Sequence, residues 1–146
     1  MKRVEGHALL LARLGEAYLL DGRIGDAQTI GCQALQLARE TGQRGHEAYA
    51  LCLMGDIGSR ELLVDIGAAE ASYCQAFALV EELSMRPLLA HCHAGLGRLY
   101  GRTAKRQEAQ QHLITAMAIY RELDMPYWLE KAKVDMGQLQ SDENRG

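Results

Sequence analysis

The sequence predicts an all-α protein that is built as a stack of repeated helix pairs. One apolar–glycine pair recurs at spacings of 40, 42 and 40 residues, as Leu14-Gly15, Met54-Gly55, Leu96-Gly97 and Met136-Gly137. Two alanine series follow nearly the same period, namely Ala27, Ala69 and Ala109, and Ala34, Ala76 and Ala116. The chain has only two prolines and is rich in Ala, Leu, Gln, Glu and Arg, which favours helix. A fixed period of this length is typical of stacked supersecondary units.

The first four helices follow from apolar residues at helical spacing. The first has a predicted buried stripe at Leu11, Leu14, Gly15 and Tyr18, and it ends at the turn Asp21-Gly22-Arg23. The second has its stripe at Ile24, Ala27, Ile30, Gly31, Ala34, Leu35 and Ala38, and it ends near Thr41-Gly42. The third and fourth are predicted over His46–Ser59 and Ala68–Leu83.

Three more helices complete the chain. The fifth begins at Pro87, whose fixed φ suits a first helical turn, with Ser84 as a candidate N-cap. The sixth follows a turn at Thr103-Ala104, and its predicted buried stripe is Ala109, Leu113, Ala116, Met117 and Tyr120. The seventh follows Asp124-Met125-Pro126 and is predicted over Tyr127–Gln140.

The joints between repeats also align. Arg39–Arg44, Glu81–Arg86 and Arg121–Pro126 each end a helix with charge and then place Gly42, Ser84 or Asp124 at the reversal. We therefore predict one domain over residues 1–140 and a disordered, frayed tail over 141–146. Within the domain, the repeats span about 5–42, 43–84 and 85–124, and a closing helix spans 126–140.

Composition and charge narrow the function. A net charge of -3 argues against general nucleic-acid binding, which requires an excess of basic residues. The longest apolar run, Ala8–Ala12, is too short to cross a membrane. Arg13 and Glu16 interrupt the segment that follows the basic start, so it does not have the pattern of a signal peptide. A cytoplasmic location is the expectation.

The repeated motifs resemble those of the tetratricopeptide repeat family. Leu11-x2-Leu14-Gly15-x2-Tyr18 and His93-x2-Leu96-Gly97-x2-Tyr100 match the first block of the family motif except at its Trp, and Ala69-x3-Tyr73-x2-Ala76 matches the second. The resemblance covers roughly residues 7 to 140. It implies a right-handed superhelical solenoid of three helix pairs with a closing seventh helix.

The repeat length differs from the family's usual value. Units of 40 to 42 residues are longer than the common length of about 34. They are similar to a long-repeat subgroup in the C-terminal arms of bacterial ATPase-containing nucleotide cyclases and large ATP-binding transcriptional regulators. That likeness implies a non-enzymatic scaffold that binds a protein or peptide in a signalling system. The alternatives are a sensory arm for a small anionic effector and a homo-oligomerisation module, with Tyr127, Trp128 and Leu129 as the contact.

The family resemblance also implies which side chains line the inner, concave groove. They are the polar or aromatic residues at fixed offsets from each repeated glycine on the first helix of each unit. The resulting partner-binding candidates are Arg13, Glu16, Tyr49, Asp56, Arg60, His91, Arg98, Arg102, Lys131 and Asp135, with Gln138 at one further groove position. A solvated face with weak ion pairs is the alternative interpretation of the same residues.

Charge is unevenly distributed along the chain. Between Arg86 and Gln107 there are five basic residues and no acidic one, whereas between Asp56 and Glu82 there are six acidic residues and one Arg. Arg98 and Arg102 are four residues apart, so they share one helical face. This pattern predicts an acidic peptide or a phosphate-bearing ligand at the third repeat, because a local field of one sign attracts a partner of the other.

Catalytic and metal-binding chemistry find little support. The chain has no phosphate-binding loop, no H-E-x-x-H motif and no nucleophile elbow, so we expect neither an enzyme nor a cofactor. The segment His91-Cys92-His93 has ligand chemistry, but adjacent helical residues diverge by about 100° and cannot all face one ion. Cys32, Cys52, Cys74 and Cys92 are expected to be small buried thiols between helices.

Overall fold

The computed structural model describes residues 7–60, 66–103 and 105–145, with side chains as far as Ser141. These residues form helices and short turns with no strand, so the predicted all-α fold is confirmed. The helices are α1 (His7–Leu20), α2 (Ile24–Glu40), α3 (Arg44–Arg60), α4 (Ile66–Leu83), α5 (Arg86–Gly101), α6 (Arg106–Glu122) and α7 (Pro126–Arg145). None of the described helices combines the length and apolarity needed to cross a membrane.

The helices pack in sequential pairs, as the repeat predicts. α1 packs on α2, α3 on α4 and α5 on α6. The chain divides into two compact units, Met1–Ser84 and Met85–Gly146, and this boundary is the predicted joint between the second and third repeats. In unit 1, α3 also packs on α2 and lies beside α1; in unit 2, α7 packs on α6 and lies beside α5. A continuous solenoid over both units stays a prediction.

The repeated small residues allow the close approach within each pair. A Cβ atom added at Gly55 would lie 2.8 Å from the ring of Tyr73 on α4, and one added at Gly97 would lie 2.7 Å from Cγ of Leu113 on α6. The two alanine series on the facing helices are also buried, with exposed fractions of 0 to 1%. Gly55 and Gly97 therefore create space for the side chain that the second helix of each pair supplies.

Each unit has its own apolar core. In unit 1 a cluster joins the first three helices through Ala12, Leu19, Ala27, Ala34, Ala50, Leu53 and Ile57. In unit 2 a cluster joins α5, α6 and α7 through Ala90, Ala94, Ala116, Ile119, Tyr120 and Ala132. The predicted stripes of α2 and α6 face these cores. The predicted stripe of α1 is wrong at Leu14, which is 40% exposed, because the buried side of α1 is Ala8, Ala12, Gly15 and Leu19.

The joints between repeats share a left-handed residue. Gly42, Ser84 and Asp124, which align in the sequence, have φ values of 68°, 57° and 56°. After two of them the chain closes with a hydrogen bond typical of a Schellman motif: Gln43 N donates to Ala38 O at 2.9 Å, and Met125 N donates to Tyr120 O at 2.9 Å. Ser84 is therefore not the N-cap of α5. That position belongs to Met85, which makes no side-chain capping bond.

A second feature of the joints repeats as well. Arg44 at the start of α3 pairs with Glu82 near the end of α4. Arg86 at the start of α5 pairs with Glu122 at the end of α6, with 2.6 Å between Nη2 and Oε1. Both pairs are exposed and occupy the same positions in aligned joints, so they connect the two ends of each helix pair in the same register.

Some predicted helix ends differ from the structure. α3 begins at Arg44 rather than His46, and α4 begins at Ile66 rather than Ala68. α7 begins at Pro126 and continues to Arg145, so residues 141–145, which the sequence predicts as a tail, extend the last helix. Ala104, part of a predicted turn, and residues 5 and 6 at the predicted start of the first repeat lie outside the described residues.

Candidate functional site

The predicted binding residues fall into two sets, one in each unit. Unit 1 holds Arg13 and Glu16 on α1, and Tyr49, Asp56 and Arg60 on α3. Unit 2 holds His91 and Arg98 on α5, Arg102 as the C-cap of α5, and Lys131 and Asp135 on α7. In each unit the two helices that carry the set lie side by side. The structure thus brings the residues of each set onto neighbouring first helices, as the repeat register requires.

In unit 1 a hydrogen bond joins the neighbouring helices α1 and α3. The hydroxyl group of Tyr49 donates to Oε2 of Glu16 at 3.1 Å. Burial of the phenol, together with the nearby Glu16 carboxylate, raises the pKa of Tyr49 to about 12. Because the carboxylate accepts from a phenol that stays protonated, this pair acts as a fixed polar contact between the two helices.

The other two α3 residues of the set have contacts that belong to the packing of unit 1. Asp56 accepts a hydrogen bond from the hydroxyl group of Tyr73, a side chain on α4 with an exposed fraction of 0%. Arg60 donates through Nη1 to the backbone oxygen of Leu19 at 3.4 Å. The sequence placed both side chains in the groove, and the structure shows that both also hold neighbouring helices.

In unit 2 an ion pair joins α5 and α7. Nη1 of Arg98 lies 3.2 Å from Oδ2 of Asp135. Arg98 follows Gly97 directly, as Glu16 follows Gly15, so the same repeat position connects adjacent first helices in both units. Both partners keep part of their side-chain surface in solvent, and the stabilisation from such a pair is therefore small. Arg102 lies one turn further, at the end of α5, and is exposed.

His91 links three helices of unit 2. Its Nδ1 lies 2.6 Å from the hydroxyl oxygen of Tyr120 on α6, and its ring meets that of Trp128 on α7 edge-on, with centroids 4.6 Å apart. Burial, reinforced by the positive charges of Arg98 and Lys131, lowers the pKa of His91 to about 4. The imidazole is therefore neutral at pH 7, so it adds polarity but no charge to this surface.

Trp128, which the sequence predicts only as a self-association residue, adds an indole to the binding residues of unit 2. The indole is 38% exposed, and the ammonium group of Lys131 lies 5.4 Å from the centre of its ring. Lys131 and Trp128 are three residues apart on α7, so they share one helical face. This spacing from a predicted groove residue is the sequence signal that could have identified Trp128. We call His91, Arg98, Trp128, Lys131 and Asp135 the α5–α7 face.

The predicted self-association residues do not share one environment. Tyr127 is 66% exposed, whereas Leu129 is partly buried against the core of unit 2. Trp128 lies between these extremes and contacts His91. Leu129 thus contributes to the packing of α7 on its own unit.

The histidine and cysteine residues separate as the helical geometry requires. His93 points away from His91, and its Nδ1 lies 2.9 Å from Nδ1 of His112 on α6. Burial, together with the neighbouring His112, lowers the pKa of His93 to about 4.

Cys52 and Cys92 are buried, but Cys32 and Cys74 are exposed, which corrects the expectation of four buried thiols. Across the described residues, no group of three or more His, Cys, Asp or Glu side chains has a geometry that suits a metal ion.

The α5–α7 face combines the groups that recognise an anion on a protein surface. Its two cationic side chains are Arg98, which pairs with Asp135, and Lys131, which lies over the exposed indole of Trp128. Guanidinium and ammonium groups bind carboxylates, and an indole adds apolar contact area.

Compared with known proteins, the chain matches no family model and no curated sequence.

Proposed function

We propose that the chain is a non-enzymatic binding module of the tetratricopeptide repeat type, whose α5–α7 face recognises an acidic segment of a protein or peptide. The observation that carries this proposal is the placement of Lys131 over the exposed indole of Trp128, next to Arg98 on the adjacent helix. Trp and Arg are the residues that most often dominate binding energy at protein interfaces.

The charges of the face favour an acidic ligand. Arg98 forms an ion pair with Asp135, and Lys131 and Arg102 are two further exposed cationic side chains in this unit. His91 stays neutral at pH 7, since its pKa is lowered to about 4. The segment from Arg86 to Gln107 has five basic residues and no acidic one in a chain whose net charge is -3, and a basic surface speeds the association of an acidic partner.

The repeat architecture supports a scaffolding role. Helix pairs that recur every 40 to 42 residues build extended surfaces from adjacent first helices rather than a single deep cavity. Such a surface suits a peptide that runs across several helices. Within this proposal, the module works in the cytoplasm and holds a component of a bacterial signalling assembly.

A selection from a displayed library of random peptides tests the proposal. We expect the recovered peptides to be enriched in Asp and Glu, and their affinity, measured by fluorescence anisotropy, to fall as salt increases. The double variant Arg98→Glu/Arg102→Glu and the single variant Lys131→Glu should each abolish binding. Circular dichroism confirms that the variants stay helical.

A matched control places the same charge change elsewhere in unit 2. Lys105→Glu/Arg121→Glu alters two exposed cations, one just before α6 and one in its last turn, and should leave binding unchanged. Recovered peptides without acidic residues, or peptides equally sensitive to both double variants, would contradict the proposal. Binding of small anionic metabolites with no binding of acidic peptides would favour the sensory arm instead.

A further inference from the structure

On α3 the apolar member of the apolar–glycine pair, Met54, belongs to a second contact, which is with the preceding helix. The positions concerned in each repeat are the apolar residue itself, the residue four before it and the residue three after it. On α3 these are Ala50, Met54 and Ile57, on α7 they are Ala132, Met136 and Leu139, and on α1 they are Leu10, Leu14 and Ala17. We call them the leading face of each helix.

On α3 the leading face is covered by the helix that precedes it, and on α7 two of its three residues are buried. A Cβ atom added at Gly31 of α2 would lie 2.8 Å from Sδ of Met54 and 3.4 Å from Cδ1 of Ile57, so α2 lies directly on this face. On α7, which packs on α6, Ala132 and Leu139 have exposed fractions of 1% and 7%. The leading face is thus largely buried on α3 and α7, and each of these helices follows another helix within its unit.

On α1 the same positions are open. Leu10 is 63% exposed and Leu14 is 40% exposed, and Ala17 is exposed as well. These three side chains are nevertheless apolar, like the residues at the aligned positions of α3 and α7. Leu10 is larger than Ala50, the residue at the aligned position of α3. On α7, Gly137 meets no atom within 4 Å, and the ion pair Glu130–Lys133 lies one to two turns before it.

We propose that the leading face of α1 is a docking site for a helix of a partner protein that resembles α2. The contact of α2 with α3 defines the occupant, because the proposed site is the same interface one repeat earlier in the chain. Where Met54 packs, the facing helix has Gly31, and it places Ala27 and Ala34 on either side. The partner helix therefore carries small residues at the spacing A-x3-G-x2-A, which leaves space for Leu10 and Leu14.

A second copy of the chain fits this face less well. Two α1 helices paired about a two-fold axis would set Leu10 and Leu14 against equally large leucines instead of small residues. A stable interface also buries about 800 Å² on each partner, which three side chains on one helix do not provide. A single amphipathic helix that lies along the face matches its size better.

The probe is a synthetic peptide with the sequence of residues 24–40, with Cys32 replaced by Ser and a cross-link on its solvent side to hold the helix. We expect the labelled peptide to bind the full chain in fluorescence anisotropy. The chain variant Leu10→Glu/Leu14→Glu should bind more than about tenfold more weakly, because two carboxylates would enter an apolar contact. A peptide with Gly31→Leu should also fail to bind, because it has no space for Leu14.

The control variant is Leu20→Glu, since Leu20 is 71% exposed on the same helix but lies outside the leading face. It should bind the peptide as the unmodified chain does. No peptide binding, or binding that Leu10→Glu/Leu14→Glu leaves intact because the peptide displaces the chain's own α2, would overturn the proposal. A concentration-dependent increase in mass by light scattering, abolished by Leu10→Glu/Leu14→Glu, would assign the face to a second copy and would overturn it too.

Discussion

Nδ1 of His91 on α5 lies 2.6 Å from the hydroxyl oxygen of Tyr120 on α6, and the imidazole also meets the indole of Trp128 on α7 edge-on. One titratable ring thus connects three helices of unit 2. Burial, with the positive charges of Arg98 and Lys131, lowers its pKa from 6.5 to about 4. A neutral imidazole can accept the hydrogen bond of Tyr120, and a protonated one cannot.

Stability should therefore fall as the solution is acidified from pH 6.5 to pH 4. In this window the unfolded chain binds a proton at His91 and the folded chain does not, so the free energy of unfolding decreases as pH decreases. Between pH 6.5 and pH 4 the free energy of unfolding should decrease by about 2–3 kcal/mol. Urea denaturation of the unmodified chain and of His91→Gln at several pH values measures it.

The variant His91→Gln should have a smaller pH dependence, because the amide stays neutral while the carboxylates still titrate. The matched control His7→Gln removes an exposed histidine at the start of α1 and should keep the full pH dependence. If the two variants and the unmodified chain lose stability in parallel, His91 does not carry the effect.

The repeated glycines should respond in opposite ways to alanine. A Cβ atom at position 97 would lie 2.7 Å from Cγ of Leu113 and 3.3 Å from the backbone oxygen of Ala109, so Gly97→Ala should destabilise unit 2 by about 1–3 kcal/mol. A Cβ atom at position 137 would meet no atom within 4 Å. Gly137→Ala should therefore stabilise α7 by about 0.5–1 kcal/mol, because alanine has the higher helix propensity.

Thermal and urea unfolding of the two variants measure the difference in stability. Gly55→Ala is a second variant at a glycine that a neighbouring side chain covers. A Cβ atom at position 55 would lie 2.8 Å from the ring of Tyr73, so destabilisation is expected there as well. Equal destabilisation at positions 97 and 137 would mean that position 137 is also covered in solution.

The repeat period was sufficient to predict the helix pairs and the small residues between them, because close helix contacts constrain residue size directly. It could not predict the exposure of Leu14. That residue has the same register as Met54 and is apolar like it, and only the absence of a covering helix among the described residues distinguishes them. The periodic pattern indicates that a position has a residue suited to helix packing, whereas the burial of that residue also depends on whether a neighbouring helix is present.

The sequence predicted some contacts of the candidate site but not others. Glycine offsets placed Arg98 and Asp135 on adjacent helices, where they form an ion pair. They did not indicate that Asp56 would bond to the buried Tyr73, or that Trp128 would contact His91. Those contacts depend on the rotation of each helix about its axis and on side-chain length, and neither is contained in a spacing.

The left-handed joints should gain stability from glycine. Ser84 and Asp124 hold φ values of 57° and 56°, which are unfavourable for residues with a Cβ atom. We expect Asp124→Gly and Ser84→Gly each to stabilise the chain by about 0.5–1 kcal/mol. This is less than the backbone strain that glycine removes, because glycine also increases the conformational entropy of the unfolded chain.

The reverse substitution tests the same relationship. Gly42 occupies the aligned joint with a φ of 68° and has no neighbour within 4 Å of a Cβ position, so Gly42→Ala should cost about 1 kcal/mol through backbone strain alone. Gly25 is equally open but lies in α2 without a positive φ, so Gly25→Ala should not destabilise the chain. Similar effects at positions 25 and 42 would show that the left-handed conformation does not determine the outcome.

The bond between Tyr73 and Asp56 separates a packing role from a binding role for Asp56. Tyr73 is fully buried and its hydroxyl group donates to the carboxylate, so Tyr73→Phe removes a hydrogen bond to a charged group within unit 1. We expect a loss of about 1.5–3 kcal/mol in the free energy of unfolding. Tyr127→Phe, at a residue that is 66% exposed on α7, should leave stability unchanged within about 0.5 kcal/mol. A negligible effect of Tyr73→Phe in urea denaturation would leave Asp56 available for a ligand; the expected loss would show that its carboxylate stabilises the contact between α3 and α4.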